Sequence, residues 1–229
     1  MAPAALTSSD VEEVRVAVYQ GFATSGHAPG PSAVARSTGL SAAQVRAALE
    51  RLHASRDLVL RDGADIVMAH PFSSVPLGFS VMGERKLWWG GCAWDSFAIP
   101  HLVPAEPEVL VATRCPGCGD ALAWVVDRHR PPSGAEVAHF LTPTRQIWDD
   151  VVHACRHQQL FCSDRCVGDW LRQTGNQRGY VMDLGTLWRL ARGWYAGRLD
   201  RGYQRRDPAS AAAYFADVGL QGPFWGLPG

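Results

Sequence analysis

The sequence predicts an α+β protein in two parts: a winged-helix-like helical module over residues 1–70, then a mixed core of short antiparallel strands and helices over residues 77–229. Three observations predict it. Capped helical patterns fill most of the first part, strand-like runs flank a hairpin signal at Asp62-Gly63, and past a proline-rich bend at Pro71 to Pro76 cysteine-bearing turns lead into further helix-like runs. With 229 residues, 47% of them hydrophobic, the chain is long enough to bury a substantial core.

In chain order, Ser9 and Glu12 have capping-box spacing and open a first helix, with Val11, Val14 and Val18 on one side and an end near Gly21. Val34 and Ala35 suit a short second helix that stops at Gly39. Ser41 with Gln44 caps a third, whose Val45, Ala48, Leu49 and Leu52 form an apolar stripe. The run "LVLRDGADIVM" supplies two strands about Asp62-Gly63. Such a module would suit DNA binding, with Gln44, Arg46 and Arg51 facing a groove. No basic stripe accompanies them, and Glu50 and Asp57 dilute the charge, so DNA is not an expected partner.

Lysine and arginine balance aspartate and glutamate at 22 each, which excludes bulk attraction to nucleic acid or to anionic membranes. The opening "MAPAALTSSDVEEV" has neither a basic leader nor an apolar run, and no later stretch is long enough to span a bilayer. The expected location is the cytoplasm, with no membrane contact. Thiols stay reduced there, so the six cysteines read as metal ligands or catalytic groups before they read as disulfides.

Four of them form two close pairs. Cys115 and Cys118 make a C-x2-C in the Pro-Gly turn of "RCPGCGD", and Cys162 and Cys166 make a C-x3-C that continues as a helix through Trp170. Two such pairs, with an intervening segment long enough to fold back, match a closed tetrahedral zinc site, and structural zinc is the expected cofactor. No organic cofactor is expected.

Cys92, Asp95 and Cys155 remain. In "GGCAWDSFAIP", Cys92 and Asp95 stand three residues apart in a tryptophan-rich stretch, with Trp88, Trp89, Trp94 and Phe97 close by. If the segment is helical, both side chains share one face, about 5–6 Å apart at Cβ. Gly90 and Gly91 allow a sharp entry and close backbone approach, or simply a strand-to-helix turn. On spacing alone, a lone cysteine and a nearby aspartate are as well explained as core and cap.

The stretch "ERKLWWGGCAWDSFAIPHLV" resembles the active-site segment of the organomercurial (alkylmercury) lyases, with Arg85, Trp88, Cys92, Ala93, Asp95 and Pro100 in the matching positions. A second block, "ACRHQQLFCSDRCVGDW", is similar in Cys155, His157, Phe161, Ser163 and Trp170, and the N-terminal module and "CPGCG" extend the likeness. The resemblance implies that the catalytic set is Cys92, Asp95 and Cys155, that Cys92 attacks mercury first, and that Asp95 passes a thiol proton to the departing carbon. Cys155 then completes a chelate in which Cys92, Cys155 and Asp95 hold the Hg(II) product. Cys118, Cys162 and Cys166 fall where better-known members carry other residues, so the four-cysteine site is an addition. Arg156 stands where some members have a second adjacent cysteine.

The chemistry suits these residue types. Soft thiolates bind a soft metal, and raising its coordination makes the bound carbon more basic; a positioned acid then delivers the proton. The expected substrate is a small organomercurial, with cellular thiols or a mercuric reductase removing Hg(II). Two rivals stand beside this reading: a lyase scaffold turned to another substrate or metal, and a zinc-stabilised, metal-responsive winged-helix regulator. His101, His129, His139, His153 and His157 lack metal-ligand spacing and receive no role. Leu184, Leu187, Leu190 and Ala191 mark an amphipathic helix expected to cover the core. The tail "GPFWGLPG" carries no pattern that assigns it a role.

Overall fold

The computed structural model describes residues 5–61 and 64–229. Helix α1 (Ser8–Ser25) starts from Thr7, which accepts from the Asp10 N–H while the Asp10 carboxylate accepts from the Thr7 N–H, so Thr7 and Asp10 form the capping box in place of Ser9 and Glu12. Glu12 is drawn instead into an ion pair with the buried Arg15 at 2.7 Å. The helix also runs through Gly21 to a left-handed Gly26, because its apolar stripe continues through Phe22 and Ala23. Gly21 is a packing position: a Cβ there would lie 2.7 Å from the Pro29 ring. Helices α2 (Pro31–Thr38) and α3 (Ala42–Ala54) end at Gly39 and begin at a Ser41–Gln44 capping box, as the sequence predicts.

Strands β1 (Val59–Arg61) and β2 (Asp65–Ala69) pair antiparallel; the Asp62-Gly63 turn lies outside the described residues. The bend at Pro71 to Pro76 does not interrupt the sheet, because Met68 pairs with Ser73 across it. Strand β3 (Phe72–Ser73), β4 (Phe79–Met82), β5 (Leu87–Gly90), β6 (Glu108–Arg114) and β7 (Ala121–Asp127) complete a seven-stranded antiparallel sheet in the order β1-β2-β3-β5-β4-β6-β7. Strict inside–outside alternation along β6 and β7 shows that one face is packed and the other open. A second sheet joins β8 (Val137–Phe140), β9 (Gln158–Phe161) and β10 (Tyr180–Asp183) in the order β10-β8-β9. The fold class is α+β, as expected.

Helix α4 (Ala93–Leu102) occupies the centre. Apart from His101 every residue is buried, and a helix apolar all round is stable only when surrounded. It packs against strands of the large sheet, β9 and the later helix α7 (Leu184–Trp194). Arg128 donates to the carbonyls of Pro100 and Val103 at 2.6 and 2.8 Å, satisfying groups the helix end leaves free. Leu184, Leu187, Leu190 and Ala191 of α7 are buried, so this helix covers the core. Among the described residues no helix is long and apolar enough to cross a membrane.

The remaining elements are α5 (Val151–Arg156), α6 (Asp164–Thr174) and α8 (Pro208–Asp217). The C-terminal segment does have a role: Trp225 is buried, 5.0 Å from the Phe215 ring, 6.0 Å from Phe140 and 6.1 Å from Trp94. Helix α1 is tied to the loop after α7, where Arg15 donates to the Arg198 carbonyl (2.8 Å) and Gln20 to that of Leu199 (3.1 Å).

Candidate active site

A cavity of about 500 Å³ opens between α4, α5, α8 and the loop after α7. Cys92, Asp95 and Cys155 line it together, although 60 residues of chain separate Asp95 from Cys155. Strand β5 ends at Gly90, and Cys92 is the N-cap of α4, its sulfur accepting from the Asp95 N–H at 3.4 Å. A cap residue and its N3 partner meet at the start of the helix, which is why the spacing of three brings these two side chains together. Helix α5, capped by Asp150, delivers Cys155 from the other side, with its Sγ 4.0 Å from Asp95 Oδ2.

Asp95 is only 1% exposed and is surrounded by donors. The Tyr195 hydroxyl donates to Oδ1 at 2.5 Å, and His70 Nδ1 donates to Oδ2 at 3.1 Å. Gly91 makes room for this carboxylate: a Cβ there would lie 2.3 Å from Oδ2 and 2.6 Å from the Met68 methyl. The Cys92 thiol donates to Gln158 Oε1 at 3.0 Å. Burial, then hydrogen bonding with Cys155 and the charge of Asp95, push the Cys92 thiol well above its usual range. For Cys155 the hydrogen bond with Cys92 favours the thiolate, but burial and Asp95 outweigh it and the value rises. Both groups therefore rest as protonated thiols, and each brings a proton to the site. Burial, followed by the Asp95 charge, also raises Tyr195 well above the ordinary phenol, so it remains a donor.

Of the four aromatics near Cys92 in sequence, only Trp94 lines the cavity. Trp88 points away and donates to the Phe22 carbonyl at 2.8 Å, Trp89 is 38% exposed, and Phe97 packs on Trp124. The apolar wall comes from distant residues instead: Trp194 and Phe215 stack at 5.0 Å and flank Trp94, and Trp225 closes the group. Arg85 is largely exposed and remote from the cavity, and His157 packs on Trp170.

His70, Gln158 and Tyr195 were missed by sequence reasoning. His70 has no ligand-type spacing with any other histidine, and Tyr195 lies in an amphipathic run that reads as surface and core. Gln158 had a usable signal, a polar pair in the fully buried strand β9. The buried His70 Nε2 and Trp94 Nε1 have no hydrogen-bond partner among the described residues. His70, Asp95 and Cys155 present ligand atoms within 4.8 Å of one another, enough to hold a metal ion.

The other four cysteines form a separate cluster. The sulfurs of Cys115, Cys118, Cys162 and Cys166 lie within 4.8 Å of one another, with Cys118 and Cys162 at 3.5 Å. Tetrahedral zinc at about 2.3 Å from each sulfur would place them about 3.8 Å apart, so the cluster has suitable dimensions. The knuckle between β6 and β7 supplies the first pair; Ser163, which caps α6 by accepting from the Cys166 N–H, sets the second. Gly117 lets the two halves approach, because a Cβ there would sit 2.3 Å from the Cys166 carbonyl oxygen.

The family model for alkylmercury lyase matches residues 72–196, more than half of the chain. The chain belongs to the alkylmercury lyase family. It is therefore an enzyme of the class that cleaves carbon–mercury bonds of organomercurials. Its fold is similar to a crystal structure described as the mercury-bound form of MerB2, with a TM-score of 0.60 and 18% sequence identity over 82% of this chain and 90% of that one. Comparison with curated proteins gave no match. Within this alkylmercury lyase, Cys92, Asp95, Cys155 and Tyr195 fall inside the matched segment, whereas His70 and Trp225 lie outside it.

Proposed function

We propose that Cys92, Asp95 and Cys155 are the catalytic residues of this lyase and that the cleavage is a protonolysis. What supports the reading is one arrangement: two buried thiols and a buried carboxylate converge on one end of a cavity whose adjoining wall is aromatic. Cys92 takes the organomercury group, and its proton leaves with the displaced carrier thiol. Cys155 then adds to mercury; its proton passes through Asp95 Oδ2 to the carbon, which departs as the hydrocarbon. Mercury(II) remains on two thiolates with Asp95 beside it. Tyr195 and His70 hold the carboxylate in line, since a group fixed by two donors reaches its target without searching.

The decisive assay incubates reduced protein with phenylmercury and excess thiol and measures benzene. Cys92→Ser, Cys155→Ser and Asp95→Ala each lower its release by about two to four orders of magnitude. Asp95→Ala still binds the organomercurial through its thiols and stalls before the hydrocarbon leaves. Wild-type rates in Cys155→Ser would sink the assignment.

The same reading assigns structural zinc to Cys115, Cys118, Cys162 and Cys166 and takes residues 1–70 as a winged-helix-like support. It places the enzyme in the cytoplasm, where thiols or a mercuric reductase accept Hg(II). Elemental analysis of protein prepared without chelator checks the first point, with about one zinc per chain expected.

A further inference from the structure

Among the described residues, the walls and mouth of the cavity carry Arg56, Arg145, Arg198, Arg205 and Arg206, against a single lining acid, Asp95. The chain as a whole is neutral, so this is local accumulation and not the consequence of a basic protein. Among the described residues none of the five is in an ion pair. Arg205 donates to the carbonyls of Ser55 and Arg56 and lies over the Trp148 ring, Arg206 donates to that of Gly193 and lies over the Tyr214 ring, and among the described residues the side chains of Arg56 and Arg145 have no hydrogen-bond or ion-pair partner. Arg198 is 4% exposed and donates to the Tyr19 hydroxyl at 2.9 Å, the Tyr203 hydroxyl at 3.4 Å and the Asp57 carbonyl at 3.3 Å, so it contributes charge to the wall while its donors are engaged. Nearby acids are engaged elsewhere: Asp150 caps α5, Asp207 caps α8, and Asp57 accepts from Ser55. Asp149 faces the adjoining depression that Arg56 shares.

Resting on the lyase reading, we propose that the substrate is the mercury adduct of an anionic, carboxylate-bearing thiol, and that the arginines recognise the thiol. A soft organomercury cation in the presence of thiols is carried on sulfur. The apolar organic group suits the wall of Trp94, Trp194 and Phe215, and the polar carrier then faces the mouth, where guanidinium groups match carboxylates in bidentate geometry. The first step is an exchange: Cys92–SH and R–Hg–S–R′ give Cys92–S–Hg–R and the free thiol R′–SH. A cleft lined by one sign of charge raises the local concentration of its opposite, by about tenfold or more.

The test measures kcat/KM for phenylmercury presented on 3-mercaptopropionate, 2-mercaptoethanol or cysteamine, at low and high salt. The anionic adduct is preferred over the cationic one, by about tenfold at low salt, and the preference shrinks as salt screens it. Thiols differ as leaving groups, but that difference cancels when wild type is compared with Arg145→Glu, in which the anionic-to-cationic ratio falls by about tenfold. A ratio that Arg145→Glu and Arg56→Glu leave unmoved, with benzene still released, overturns the inference alone. So does a preference conferred by the carboxylate of 4-mercuribenzoate and not by that of the thiol. No benzene from any adduct sinks the lyase reading and this inference together.

Discussion

At the scale of single residues, the proposed chemistry turns on one carboxylate and what is allowed to touch it. Gly91→Ala places a methyl group 2.3 Å from Asp95 Oδ2, on a side chain that Tyr195 and His70 prevent from stepping aside. Benzene release should fall by at least about tenfold; because the same methyl also meets the buried Met68 at 2.6 Å, a thermal melt alongside separates loss of the site from loss of stability. Tyr195→Phe removes one charge-assisted hydrogen bond of about 1.5–3 kcal/mol, so kcat should drop roughly ten- to a hundredfold with KM little changed. A shift confined to KM would show that Tyr195 acts on the substrate instead of on Asp95. The proximity of Cys92 and Asp95 was legible in the sequence because the helix cap that joins them is local, whereas their candidate role came from the resemblance. Tyr195 reaches Asp95 across 100 residues and His70 across 25, and no local pattern records such meetings.

At the scale of elements, capping rules located α2 and α3 well and misplaced the start of α1, where two overlapping capping boxes compete and Glu12 is needed by Arg15. The central helix α4 offers no stripe to read, since it is buried on every side; its Cys–Asp spacing in a tryptophan-rich run drew attention to it, and its resemblance to a known segment supplied a candidate role. The small sheet makes its own prediction. His139 in β8 is fully buried and accepts from the Gly179 N–H at 2.9 Å through Nε2, so burial, with Arg178 adding to it, lowers its pKa to about 4. The unfolded chain binds the proton from about 6.5 downward and the folded one does not, so stability is lost as pH falls from about 6.5 to about 4. His139→Gln should flatten the melting temperature over that window relative to wild type; an unchanged slope would show that other groups set it. His101, lowered to about 4 chiefly by burial, adds a parallel contribution that the variant retains.

At the scale of the whole molecule, the aromatic wall joins segments that are far apart in sequence, with Trp94 and Trp225 in contact with each other and each with Phe140 and Phe215. Trp225→Ala should cost about 3–5 kcal/mol, read as a lower midpoint in denaturant, and should loosen the cavity as well. The tail was illegible in sequence because its meaning lies entirely in what it covers. The ties between α1 and the loop after α7 have a further consequence, one of timing. A ribosome delivers α4, buried on every side in the finished fold, long before α7 exists to shield it, and delivers α1 about 180 residues before its partners at Arg198 and Leu199. Pairings so distant in sequence form late, and until α7 arrives α4 is covered only where it packs against strands, first the preceding β3, β4 and β5 and then β6, β7 and β9. The α1 side of the fold can therefore close only after the segment through Leu199 has been made.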